Sequence, residues 1–244
     1  MRHRKIIINA DDFGMSPETN RAIVSAFDAE KISSTTLMAN MPAFEEACEL
    51  GKRYHLLGKI GVHLNLIEGF PLSEPIRRVP LFCDAAGMFR PRKVLFRLTA
   101  EEARAVELEF AAQIDTCVAR GIRPTHLDSH QHVHTVWPVG AIVIDIARRY
   151  RIGAIRLSRN CGSGIGLRNR LYKSAYNARL KLYGLAKTRY FGSAADVVPL
   201  LTSTHDDVEI MVHFTVANHW TIPNIWAQMN RDGWALQNQL TSYA

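Results

Sequence analysis

A disulfide framework is the first thing this chain lacks. Its four cysteines, Cys48, Cys83, Cys117 and Cys161, are widely scattered and form no CxxC pair. That pattern excludes a disulfide-stapled scaffold and suits a reducing compartment. No apolar run approaches the roughly 20 residues of a membrane-spanning helix. Met1-Arg2-His3-Arg4-Lys5 is basic, but Ile6-Ile7-Ile8 is too short for a signal-peptide core and polar residues follow at once. The expectation is a cytoplasmic protein. No GxGxxG follows the first apolar run, which removes the usual dinucleotide reading. Repeats, low-complexity tracts and interdomain linkers are also missing, so residues 1–244 read as a single domain. The working expectation for its assembly is a homo-oligomer.

Acidic residues are missing from one long stretch. Between Arg148 and Ala195 there are twelve Lys/Arg and no Asp or Glu, leaving eighteen basic against twenty-three acidic residues elsewhere. The net charge of +7 therefore belongs to one segment. Within it Leu167, Leu171, Ala175, Ala178, Leu182 and Leu185 recur at three- and four-residue steps. Arg168, Arg170, Lys173, Lys181 and Lys187 lie mostly off that stripe, which describes a basic amphipathic helix over 167–187. Three readings fit: a barrel helix with a solvated polar face, a peripheral contact with anionic membrane lipid, or a site for a phosphate-linked substrate. Nucleic acid is not an expected partner, because no recognised module accompanies the charge.

What is present is histidine, concentrated. His126-Leu127-Asp128-Ser129-His130-Gln131-His132-Val133-His134 holds four of the ten histidines. In an extended chain His126, Asp128, His130, His132 and His134 would share one face. A core strand has no use for so many titratable groups, whereas imidazole and carboxylate are ordinary metal ligands.

The surrounding pattern alternates strand and helix. Strands are predicted over 5–10, 34–38, 60–64, 122–128, 154–157 and 208–213. Helices are predicted from Ser16, over 42–52, 100–120, 139–150 and 167–187, and a short one over 225–231. Residues 68–97 read as a long loop or lid. Such alternation marks an α/β fold with a mostly parallel sheet, and six or seven strands favour a distorted (β/α) barrel. Asp11-Asp12, His63, the histidine cluster and His213 all fall at C-terminal strand ends. In a parallel barrel those ends share one rim, where active sites are built.

Two adjacent carboxylates can serve one site only if the chain has left the strand by then, and Phe13-Gly14 permits that turn. Two close carboxylates repel, and a cation relieves them. One carboxylate and two imidazoles with positions left for water make an open catalytic metal site. The second carboxylate can then act as general base and a further histidine as general acid. From the residues alone, this is a metal-assisted hydrolase.

Asn9-Ala10-Asp11-Asp12-Phe13-Gly14, Gly61-Val62-His63-Leu64, the string Thr125 to His134, and Glu209-Ile210-Met211-Val212-His213 together resemble the YdjC-like carbohydrate deacetylases. That family includes chitooligosaccharide deacetylases and a relative associated with hopanoid biosynthesis. The resemblance implies a distorted (β/α) barrel, one divalent metal ion (Mg or Zn), and hydrolysis of an N-acetyl group on an amino sugar; the basic segment adds the expectation that this sugar is lipid- or phosphate-linked. Matched position by position, it implies that Asp12, His63 and His130 hold the metal; His134, on the same face of an extended chain as His130, is the substitute for it. Asp11 would be the general base and His213 the acid that protonates the departing amine. Arg156 would orient Asp11 or bind substrate. After His213 the chain reads Phe214-Thr215 where family members often have Pro-Gly. The alternatives are a phosphoesterase using the same ligands, or a non-catalytic barrel that binds a sugar or lipid headgroup.

Overall fold

The computed structural model describes residues 4–91, 97–214 and 240–243. Its centre is β1 (Ile6–Phe13), whose Ile6-Ile7-Ile8 run is buried on both faces. A parallel strand covered on both sides requires that composition. Around it lie β2 (Ser34–Leu37), β3 (Ile60–Leu64), β4 (Leu127–Ser129), β5 (Tyr190–Ser193) and β6 (Val208–Val212). The six form one sheet in the order β4-β3-β2-β1-β6-β5, and every pair is parallel. The sheet curls into a half-barrel flanked by helices, consistent with the distorted barrel expected.

Parallel neighbours need crossover connections, and helices supply most of them. These are α1 (Pro17–Asp28), α2 (Phe44–Arg53), α3 (Glu74–Arg77), α4 (Ala100–Ala119), α5 (Trp137–Arg149), α6 (Leu167–Leu182) and α7 (Ala194–Val197). The sequence marks their starts. Ser16 caps α1 by accepting from the Thr19 N–H, with Pro17 in the first turn. Thr99 and Glu102 form a reciprocal capping box on α4. Apolar faces of these helices and of the sheet share one continuous core.

Several expectations shift. The strand expected over 122–128 is confined to Leu127–Ser129. The strand expected over 154–157 is a single bridge, Leu127 to Ile155. The segment nevertheless spans the gap between the sheet's edges: Arg156 N–H donates to Leu127 O on one side and Asn160 N–H to Phe191 O on the other. Strand β5 was not anticipated. The loop of 68–97 contains the short α3. The helix expected over 225–231 lies outside the described residues. The basic helix ends at Leu182, and the part of its apolar stripe that lies on the helix faces outward: Tyr176, Asn177 and Leu180 are its buried residues, while Leu167, Leu171 and Leu182 are exposed. Leu185, expected on the stripe, lies beyond the helix and is buried. The stripe was legible, but the side that meets the barrel is set by Tyr176 and Leu180, about 140° and 180° from its centre.

Between β3 and the entry to β4 the packing is tight. A Cβ added at Gly61 would lie 2.5 Å from the His126 ring and 2.7 Å from the His126 carbonyl. Backbone cannot yield as a flexible side chain can, so Gly61→Ala should destabilise the fold by about 1–3 kcal/mol. Thermal unfolding should show a drop of several degrees against wild type. Gly58→Ala, with nothing within 4 Å of its added Cβ, should leave the midpoint unmoved.

Candidate metal and acid–base site

The site begins with an irregularity in β1. Ala10 pairs with Thr35 and Phe13 with Leu37, so three steps on β1 match two on β2. This is a β-bulge, and Asp12 sits in it with φ 69°. A regular strand would send Asp11 and Asp12 to opposite faces. The bulge brings both to His63, and it does so before the Phe13-Gly14 turn that the sequence suggested. A non-glycine residue in the left-handed region costs on the order of 1 kcal/mol or more, a strain typical of functional positions.

Asp12 Oδ1 lies 3.2 Å from His63 Nε2 and 3.0 Å from His130 Nδ1. Ligating atoms from these three residues all fall within 4.8 Å of one another. His63 stands at the end of β3, fully buried, and its Nδ1 is 2.7 Å from Asp128 Oδ1. Thr36 Oγ1 donates to Asp128 Oδ2 at 3.1 Å and so fixes that carboxylate. Asp128 in turn fixes the ring, leaving Nε2 aimed at Asp12. His130 reaches the site because the chain leaves β4 in a 3-10 turn, His130–Thr135, in which Gln131 and His132 have φ 48° and 57°.

That turn overturns the single-face reading of the cluster. His126 lies below the site, stacked on Tyr243 with ring centroids 3.8 Å apart. His132 meets the Phe191 ring edge-on. His134 is buried with Nδ1 2.6 Å from Ser129 Oγ and stands outside the ligand cluster.

Asp11 occupies the other half of the site. Arg156 Nη1 and Nη2 donate to its two oxygens at 2.8 and 2.7 Å, and Asn9 Nδ2 donates to Oδ1 at 2.9 Å. His213, just beyond β6, brings Nε2 to 3.6 Å from Asp11 Oδ2 with its side chain 41% exposed. Arg156 also contacts Asp128 Oδ2 at 2.5 Å and Glu209 Oε1 at 2.6 Å. Tyr243 donates to the other Glu209 oxygen. Arg156 has no exposed surface. Of its two expected roles, this placement fits orienting Asp11, since its guanidinium is surrounded by three carboxylates.

The electrostatics follow from burial and pairing. Burial alone would raise the Asp11 carboxyl, but the charge and hydrogen bonds of Arg156, with His63 and His213, hold it well below the usual range. Asp12 is likewise depressed, because hydrogen bonds from His63 and His130 outweigh its burial. Burial alone would lower His63, yet the Asp128 charge and hydrogen bonds to Asp12 and Asp128 raise it to about 10. Burial pushes Glu209 up despite Arg156. Asp11, Asp12, Asp128 and Glu209 thus gather around the Arg156 guanidinium and the His63, His130 and His213 imidazoles. One carboxylate with two imidazoles at the mouth of the site suits a divalent cation.

A cavity of about 360 Å³ adjoins the site. Gln131, His132, Arg159, Lys173, Asp196 and Met211 contribute to its walls. Arg159 pairs with Asp196 at 2.6 Å. Among the described residues, His132 Nδ1 and Arg159 Nε are buried without a hydrogen-bond partner.

Asp128, Glu209, Asn9, Thr36 and Tyr243 were not assigned roles from the sequence. The first three lie within the quoted motif strings, which was the available signal; Thr36 and Tyr243 carried none.

Residues 5–235 match the model of the YdjC-like protein family. A carbohydrate deacetylase of Halalkalibacterium halodurans is 34% identical over 211 residues, covering 86% of this chain and 84% of its own. A carbohydrate deacetylase of Vibrio parahaemolyticus is 32% identical over 236 residues, 97% of this chain and 85% of that one. One from Brevibacillus brevis is 42% identical over 149 residues, 61% of this chain and 57% of its own. A candidate cellobiose-phosphate cleavage protein of Enterococcus faecalis shares the fold, with a TM-score of 0.73, 24% identity and coverage of 99% of this chain and 98% of the other. With nearly the whole length matched, and with the Asp11-Asp12, His63, His130 and His213 strings all inside the match, the chain belongs to the YdjC-like family.

Proposed function

We propose that this chain is a metal-dependent carbohydrate N-deacetylase acting on an acetylated amino sugar. The observation that carries the reading is the Asp12–His63–His130 cluster set beside an Arg156-held Asp11, in a chain whose relatives are named carbohydrate deacetylases. Asp12, His63 and His130 would hold one divalent ion, Mg or Zn. When bound there, such an ion polarises the amide carbonyl and lowers the pKa of water.

The chain's own groups do the rest. Arg156 holds Asp11 ionised and aimed, so that it accepts the proton of the attacking water. Asp128 keeps the His63 ring in place. His213, half-exposed beside Asp11, would donate a proton to the departing nitrogen. Acetate and the free amine leave. The adjoining cavity has room for a sugar, and Lys173 in its wall offers a cation to a phosphate-linked one, Arg159 there being paired with Asp196. Release of acetate rather than phosphate, across a panel of N-acetylated and phosphorylated sugars, separates this reading from a phosphoesterase. Metal binding without either product would favour a non-catalytic binding barrel.

Three outcomes are expected. Purified protein reconstituted with Zn or Mg should hold about one equivalent, and His130→Ala should lose most of it, as measured by elemental analysis. In the metal-free protein His63, raised to about 10, is protonated at neutral pH. A ligating imidazole must be neutral, so each ion bound displaces about one proton, and affinity rises with pH up to that value. Calorimetry in buffers of different ionisation enthalpy should show the release; heats independent of buffer would refute it. Asp11→Asn should keep its metal while acetate release falls by about 10²–10⁴-fold.

A further inference from the structure

The outward face of α6 is apolar and exposed. Leu167, Leu171 and Leu182 are 73%, 64% and 87% exposed, and Ala175 and Ala178 between them are exposed as well. Successive helix positions turn by about 100°, so these five residues fall within an arc of about 80°. Arg168 and Arg179 flank that arc on one side, and Arg170 and Lys181 on the other. Three aromatic rings border it. Trp137 and Tyr172 meet edge-on and the Arg179 guanidinium lies 5.2 Å over Trp137, while Arg148 lies 5.6 Å over Tyr183. All three rings are more than one third exposed.

We infer that the outward face of α6, with Trp137, Tyr172 and Tyr183 at its border, docks on an anionic lipid surface. Apolar side chains in a narrow arc flanked by Arg and Lys suit a helix lying in the plane of a bilayer interface. Amphipathic rings at the margin match the polar–apolar boundary there. Charge complementarity selects the partner. Arg149, Arg156 and Arg159 of the basic stretch are paired with carboxylates from elsewhere, but no ion pair among the described residues involves Arg168, Arg170, Arg179 or Lys181, so the face presents positive charge to anionic headgroups. A second copy is the poorer fit, because a two-fold contact through this face would set the basic flanks, Arg168 with Arg179 and Arg170 with Lys181, against equally basic flanks. The contact is peripheral: among the described residues no helix is long and apolar enough to cross a membrane. It also lies close to the substrate cavity. The Tyr172 hydroxyl donates to the Thr135 carbonyl at 2.8 Å, Thr135 lines the cavity, and Lys173 projects from α6 into its wall. Docking would bring the cavity near the bilayer surface.

The test is co-sedimentation of the full chain with vesicles of phosphatidylcholine alone or mixed with phosphatidylglycerol, at about 0.1 M and about 0.5 M salt. Wild type should pellet with the anionic vesicles at the lower salt and stay in solution with the neutral ones. A Leu167→Ser/Leu171→Ser/Leu182→Ser variant, altered only at exposed positions, should bind anionic vesicles about tenfold more weakly. An Arg168→Gln/Arg170→Gln/Lys181→Gln variant should lose the preference for anionic lipid. Three results would overturn the inference: no binding to either vesicle, anionic binding untouched by the leucine changes, or a dimer in size-exclusion chromatography that the leucine changes dissolve. None of these readouts involves substrate, so they stand or fall apart from the deacetylase reading. Acetate release from a soluble sugar should be the same in the leucine variant and wild type.

Discussion

Arg156 is the group on which the interior of this barrel depends. It is fully buried, and Asp11, Asp128 and Glu209 all lie within 2.8 Å of its guanidinium. Three carboxylates drawn together in a low-dielectric interior would repel strongly or take up protons. One delocalised cation with donors in a fixed plane satisfies them at once, which a lysine could not do with a single point charge. Each carboxylate then has a task at its other end: Asp11 faces His213, Asp128 holds His63, and Glu209 accepts from Tyr243. Arg156 therefore links the bottom of the barrel, where Tyr243 lies against His126, to the rim where chemistry would occur. The segment that carries it is itself pinned. Asn177 of α6 accepts from the Ser158 N–H at 2.8 Å and donates to the Ser158 carbonyl at 2.9 Å.

A second constraint is positional. A parallel sheet aligns the C-terminal ends of its strands, and here those ends supply Asp11-Asp12, His63, Asp128 and His213. Alignment alone would present alternate residues only. The bulge in β1 breaks the alternation where the neighbours Asp11 and Asp12 must reach one centre, and the left-handed pair Gln131-His132 turns His132 and His134 away from it. Both are local departures from regular geometry, held by the structure around them, as strained functional segments are.

Much of this was legible in the sequence. The β-branched Ile6-Ile7-Ile8 run and the Ser16-Pro17 cap fix elements by local chemistry, and the structure has them where the residues point. His63 and His213 could be placed because a histidine at the end of an apolar run has few core uses. The histidine string was harder. Period-two reasoning assumes that the strand continues, and β4 stops at Ser129, so His132 and His134 leave the expected face. Strand β5 was missed because Tyr190–Ser193 is short and contains a glycine, Gly192, close against Asp196. Glu209 gave no signal of its own. A glutamate in a strand reads as a surface residue until a buried arginine is known to face it.

The same limit explains α6, and there it has a consequence for the whole molecule. Periodicity identifies a stripe but not the side on which the protein lies. Tyr176 and Leu180 pack inward with Asn177, and the leucine stripe is left outside with its basic flanks. Charge is thereby segregated in two directions. The barrel interior gathers carboxylates and imidazoles around Arg156 in a cluster that could hold a metal ion, whereas the α6 side of the surface carries Arg and Lys with no acid in the same stretch of chain. Lys173 and Arg159 lie between the two, in the wall of the cavity that joins the rim to α6. A helix that packs by Tyr176 and Leu180 can vary its outer leucines and arginines without disturbing Asp12, His63 or His130, so the surface and the site are separable in sequence although they are adjacent in space.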